Sequence, residues 1–184
     1  MKIPVAGFDP SLTHWGVAEG TLCLDTGMLD NIQLQTAETN KSKAKNVRVN
    51  SDDMERATEL AKLAVQVAQR SKVVFVEVPV GSQSANGMKS YGVVLGILGA
   101  IQALGVPMII VGAIDSKKIF TGNKNAPKRL MIDTAFSLYP EANWRLRNGV
   151  PQENEELVAD AIAAIHAGVQ TQVFQQLMRL FAEV

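Results

Sequence analysis

The sequence predicts a single α/β domain over residues 1–184, with a mixed sheet of three antiparallel strands followed by parallel ones, flanked by helices. Residues 1–36 are short apolar-polar alternations separated by turn residues, a pattern of strands rather than helices. Beyond residue 50, helical stripes alternate with continuous apolar runs at Val73–Val76 and Met108–Val111, as expected of parallel strands covered on both faces. Two strand runs end alike, on a carboxylate near a proline: Asp9 before Pro10, and Glu77 followed by Val78 and Pro79.

The first strand is expected over residues 3–9. Proline cannot donate to a ladder, so Asp9 takes the last paired position, where strand meets loop. There it either caps the Pro10-Ser11 turn or binds a hard cation, because a buried unpaired anion is costly. Strands at 15–24 and 28–36 flank Asp25-Thr26-Gly27, a hairpin turn that makes the first three strands a meander. Residues 38–50, with Lys41, Lys43, Lys45 and Arg48, read as a polar loop, solvated by default though able to meet phosphates. Ser51-Asp52-Asp53 offers N-cap residues for a helix over Met54–Arg70 with apolar positions at Ala57, Leu60, Ala61, Ala64, Val65 and Ala68.

The next strand, over 72–80, carries Glu77 at the end of its apolar run. A second carboxylate beside the first would repel it and raise its pKa, a conflict that a divalent cation removes. A loop over 81–89 leads to a helix over Ser90–Leu104, in which Gly92, Gly96 and Gly99 form a flat face. Glycine costs helix stability, so the repetition points to close approach of another backbone, either the domain's own sheet or a second subunit. A buried strand at 108–111 follows, then a short helix capped by Asp115-Ser116-Lys117-Lys118, a loop over 121–127 and a helix from Lys128. Residues 141–152 read as irregular. A helix over 155–167 with small inward residues Ala159, Ala163 and Ala164 is suited to dock tightly on a sheet, and an amphipathic helix over 171–183 runs through Val173, Phe174, Leu177, Leu180 and Phe181.

Composition narrows the function. Hydrophobic residues make up 47% and charged residues 20%, as in a folded soluble protein, and no apolar run is long enough to span a bilayer. With no signal peptide pattern and a lone Cys23 that excludes an internal disulfide or Cys-based zinc site, the expected setting is reducing and cytoplasmic. Net charge is zero, against a non-specific nucleic-acid coat. The charge is unevenly placed, however. Residues 72–150 hold nine Lys/Arg and four Asp/Glu, whereas residues 151–184 hold one Arg and five acids. A basic middle followed by an acidic patch suits a site that grips phosphates and holds metal.

Within the acidic patch, Glu156 and Asp160 stand four apart and share one helix face. Asp160 lies in the apolar run Val158-Ala159-Asp160-Ala161-Ile162-Ala163-Ala164, with no Lys or Arg at neighbouring helical positions to pair it. Glu153 and Glu155 read as solvated first-turn acids.

The ordered set resembles the RNase H-like fold and, within it, the RuvC family of Holliday-junction resolvases, including its bacteriophage branch. The resemblance runs from Gly7-Phe8-Asp9-Pro10-Ser11 through Phe75-Val76-Glu77 to Ala159-Asp160-Ala161-Ile162-Ala163. It implies a Mg²⁺-dependent endodeoxyribonuclease that resolves four-way junctions by paired nicks as a homodimer. Asp9, Glu77 and Asp160 match three of the family's four metal-binding carboxylates. The fourth usually stands three residues before the last, where this chain has Leu157, and Glu156 is its expected substitute.

By the same resemblance Asp9 bridges two Mg²⁺ ions, for which Mn²⁺ is an alternative, with Glu77 and Asp160 holding one each and Glu156 completing the cage. Ions about 3.5–4 Å apart suit in-line phosphodiester hydrolysis. Lys128 and either Lys117 or Lys118 resemble the scissile-phosphate contacts, and Lys89, Lys124 and Arg129 complete the expected DNA-binding set. The family's junction-wedging aromatic would stand at Val80, so the wedge is either lost or supplied elsewhere, with Tyr91 the candidate. The glycine-faced helix would lie at the dimer interface. Rivals are another nuclease of the same fold acting on branched DNA, RNA/DNA hybrid or rRNA, and a catalytically silent junction-binding protein.

Overall fold

The structure, a computed structural model, describes the backbone of residues 1–182 and side chains through Leu180. The expected Phe181 contact and residue 183 of the last helix lie outside the described side chains and residues, respectively. Strands β1 (Lys2–Pro10), β2 (His14–Cys23) and β3 (Leu29–Glu38) form the antiparallel meander. After α1 (Val49–Gln69), β4 (Val73–Glu77) pairs parallel to β1, and after α2 (Ala85–Ala103), β5 (Met108–Val111) pairs parallel to β4. The sheet order is β3-β2-β1-β4-β5. Helices α3 (Ala113–Thr121), α4 (Lys128–Leu138), α5 (Glu156–Gly168) and α6 (Gln172–Ala182) follow.

Side-chain alternation along the central strands divides the interior into two cores. Ala6 and Phe8 of β1 and Val74 and Val76 of β4 pack with Leu60, Ala64, Val94 and Ile101 of α1 and α2. Val5 and, on β4, Val73 and Phe75 face the other way, onto α5 and its neighbours. Asp9 and Glu77 continue that second alternation, so both point to the α5 side. Helix α5 lies unusually close. A Cβ on Gly7 would stand 2.0 Å from the Ala161 carbonyl oxygen, and one on Gly16 would stand 2.3 Å from that of Leu157. Two strand positions without side chains therefore let the helix backbone rest on the sheet.

Several boundaries differ from expectation because tertiary partners decided them. The β1–β2 ladder runs one residue past Asp9, to Pro10 opposite Trp15, while pairing with β4 stops at Phe8. Helix α1 begins at Val49, so Ser51-Asp52-Asp53 is no cap but part of the helix. Asp52 accepts from the Ser42 N–H at 2.9 Å, and Asp53 pairs with Lys89. Helix α2 begins at Ala85, with Ser84 capping the Gly87 N–H at 3.1 Å. The stretch expected to be irregular contains a small hairpin of β6 (Leu146–Arg147) and β7 (Val150–Pro151), turned at Asn148-Gly149 with φ of 53° and 77°. Among the described side chains of α6, Phe174, Leu177 and Met178 reach the core, while Val173 and Leu180 are exposed.

The glycine face of α2 does not meet the domain's own sheet: among the described residues, nothing beyond the helix's own neighbouring backbone lies within 4 Å of a Cβ built on Gly92, Gly96 or Gly99. Among the described residues no single helix is long and apolar enough to cross a membrane. Residues Glu153–Gly168 and Gln172–Leu180 reach that composition only as a pair bent by 68°.

Candidate active site

Asp9 and Glu77 stand at the ends of adjacent strands, one residue beyond the paired Phe8 and Val76. Asp160 comes down onto them from α5, which Gly7 and Gly16 hold against the sheet. Glu156, at the first turn of the same helix, completes the group. The four interact electrostatically. Burial first, then repulsion from Glu77 and Glu156, pushes Asp9 up to about 7. Burial, then repulsion from Asp9, Glu77 and Glu156, pushes Asp160 up to about 8. Burial likewise raises Glu77, opposed by the Lys117 ammonium.

Two carboxylate oxygens, Glu77 Oε2 and Asp160 Oδ1, are buried without any hydrogen-bond partner. The neighbouring Ser116 hydroxyl, on α3, is also buried and makes no bond of hydrogen-bonding geometry. Buried polar groups are nearly always satisfied, so unpaired carboxylate oxygens converging from a strand end and a helix fit hard cations held by oxygen ligands. Among the described residues, no three of the acidic or imidazole side chains stand close enough together, as placed, to hold one ion jointly.

The basic residues divide by what already occupies them. Lys117 is half-buried and opposes the charge on Asp9, Glu77 and Asp160. Lys128 is 75% exposed and lies 2.6 Å from Glu156, which raises its pKa through hydrogen bonding and charge. Lys118 and Lys124 are exposed without an ion-pair partner among the described residues. Lys89 grips both oxygens of Asp53, at 2.9 and 2.8 Å, joining the start of α2 to α1. Arg129 pairs with Asp133 and donates to the Pro151 carbonyl at 3.1 Å. Val80 is 89% exposed and Tyr91 partly so.

One expectation is overturned. Glu155 is not a solvated acid but is 2% exposed, accepting from the Arg145 backbone N–H at 3.1 Å and its Nε at 2.7 Å. The irregular segment folds back over the start of α5 and supplies a cation that local helix geometry could not reveal.

Sequence reasoning also missed Arg56. Its guanidinium is 4% exposed and donates to Thr39 Oγ1 and to the Leu12 carbonyl, both at 3.2 Å. Thr39, itself buried, donates to the same carbonyl at 2.5 Å. Together they fasten the turn that follows Asp9. The available signal was position, since Arg56 falls four residues before Leu60 on the apolar stripe of α1.

No known family model matches the chain, and no curated protein matches it. Among solved structures it is similar to Thermus thermophilus RuvC in complex with a Holliday junction substrate, at 20% identity and a TM-score of 0.65, over 96% of each chain. A second structure of Thermus thermophilus RuvC matches at 19% identity and a TM-score of 0.57, over 97% of each chain. The likeness is one of fold: the mixed five-stranded sheet and its helices have the RNase H-like architecture of RuvC.

Proposed function

We propose that this chain is a structure-selective endodeoxyribonuclease that resolves four-way DNA junctions by paired nicks. The observation that carries the reading is the convergence of Asp9, Glu77, Glu156 and Asp160 from two strands and a helix onto one half-buried, mutually repelling cluster. That the cluster lies in a fold shared with a junction-bound RuvC supports DNA as the substrate. These four carboxylates would hold Mg²⁺, two ions in all. Bound there, the ions supply Lewis-acid stabilisation of charge at the phosphate. Lys117 offsets the negative charge of the cluster from within, and Lys128 holds Glu156 from its exposed rim, where its ammonium can meet a phosphate. Lys118, on α3, and Lys124, in the loop that follows it, add exposed cations without an ion-pair partner among the described residues.

One such site cuts one strand, and a two-fold homodimer provides the second cut. The open glycine face of α2 is the proposed contact between subunits. The test is incubation with a labelled four-way junction, a matched duplex and an RNA/DNA hybrid, with and without Mg²⁺. Symmetric Mg²⁺-dependent nicks in the junction alone are expected. Cleavage of the hybrid instead would assign the fold-mate nuclease activity, and junction binding without nicking would assign a silent binder.

A further inference from the structure

Residues 39–48 leave β3 at the sheet edge that carries Asp9. The last residue of β3, Glu38, pairs with His14, and the Thr39 N–H donates to the Thr13 carbonyl at 2.9 Å. A second anchor follows at once, where the Ser42 N–H meets Asp52 on α1 and so ties the loop beyond it back to that helix. Lys41 stands between the two anchors and Lys43, Lys45 and Arg48 on the loop that the second closes, all four exposed, with no acid between Glu38 and Asp52. Among the described residues none of the four forms an ion pair. Lys89, Lys128, Arg129, Arg145 and Arg56 are each committed to a carboxylate.

Free cations, rather than paired ones, exchange their counterion atmosphere for phosphates without first breaking a contact. We infer that this anchored basic strap is a phosphate-binding surface for a DNA arm, placed beside the turn after Asp9 and separate from the cations of α3 and α4. The inference rests on the junction reading above and adds a second surface to it. Four positive charges at most four phosphates deep give the strap a defined share of the salt dependence of binding, since each phosphate contact adds about 0.9 to the slope of log affinity against log salt.

The test compares wild type with the quadruple variant K41A/K43A/K45A/R48A, titrating a fluorescent four-way junction and a duplex of equal arm length from about 50 to 200 mM salt. Lys72→Ala, at the start of β4 on the opposite edge of the sheet, is the control. The quadruple variant should bind both DNAs at least about tenfold more weakly at the low-salt end, with a slope smaller by about 2 to 4, and should keep its circular dichroism and melting temperature. The control should match wild type. A variant that keeps wild-type affinity and slope on a junction the wild type binds overturns the strap alone. A wild-type chain that binds duplex but not junction selectively, with the slope still falling in the variant, overturns the junction reading and leaves the strap as a DNA surface. A wild type that binds neither overturns both.

Discussion

Asp9 and Asp160 titrate near neutrality in the folded chain, at about 7 and about 8, against an ordinary value of 3.8. Between about pH 4 and pH 8 the unfolded chain therefore releases protons that the folded chain keeps, and stability falls as pH rises through that window. His166 acts with the opposite sense. Burial lowers it to about 4, so its contribution is lost as pH falls from 6.5 toward 4. The metal-free melting temperature should fall from pH 5.5 to pH 8, and Asp160→Asn should flatten that decline. Mg²⁺ should raise the melting temperature more at pH 8 than at pH 5.5. Scanning calorimetry with and without chelator checks all three, and an equal Mg²⁺ effect at both pH values would detach metal binding from these carboxylates. For activity, Asp9→Asn should abolish cleavage while junction binding survives. Glu156→Gln should lower cleavage by about 10² or more. Either variant cutting within a few-fold of wild type removes that residue from the site.

Helix α5 is the element on which the site depends, and three contacts fix it. Gly7 and Gly16 admit its backbone, and Glu155 ties its start to Arg145. Gly7→Ala must displace a carbonyl rather than a flexible side chain, so it should cost about 1–3 kcal/mol and lift Asp160 away from Asp9. The expected result is a lower melting temperature together with lost cleavage, and a variant with unchanged cleavage would show that the helix can shift without moving Asp160. Glu155→Ala leaves the Arg145 backbone N–H and guanidinium without their acceptor and should cost about 2 kcal/mol. The proposed chemistry does not use Glu155, so activity measured well below the melting temperature should stay near wild type. A cleavage defect as large as that of Glu156→Gln, in a folded protein, would place Glu155 in the site instead.

At the scale of the whole molecule, the sheet ends and helix starts gather on one edge the carboxylate cluster, the strap and the beginnings of α1, α2 and α3. On the proposed function a single cluster would make a single cut, so assembly would decide whether a junction is resolved. Among the described residues Gly92, Gly96 and Gly99 form a face with no covering atoms, and a second copy of the chain is its proposed occupant, which would supply a second cluster. The protein should sediment as a dimer at micromolar concentration, and Gly96→Leu should yield monomers that nick without pairing their cuts. A wild-type monomer, with or without DNA, would remove the dimer.

Local chemistry alone determined much of this. Alternation and continuous apolar runs set the meander and the parallel strands. The carboxylates at two strand ends and the unpaired Asp160 in an apolar helix marked the cluster, because each was locally too costly to leave unexplained. Tertiary structure decided what depends on partners distant in the chain. Glu155 looked like a surface acid until Arg145 folded over it, and Arg56 stood unmarked until Thr39 and Leu12 enclosed it. Asp52 and Asp53 looked like caps until Ser42 and Lys89 claimed them. The Gly92 face could have met either the sheet or a second subunit, and packing gave the close helix-sheet approach to Gly7 and Gly16 instead. In each case a charge or a missing side chain can be read from sequence, but the atom that meets it is set only when distant segments pack together.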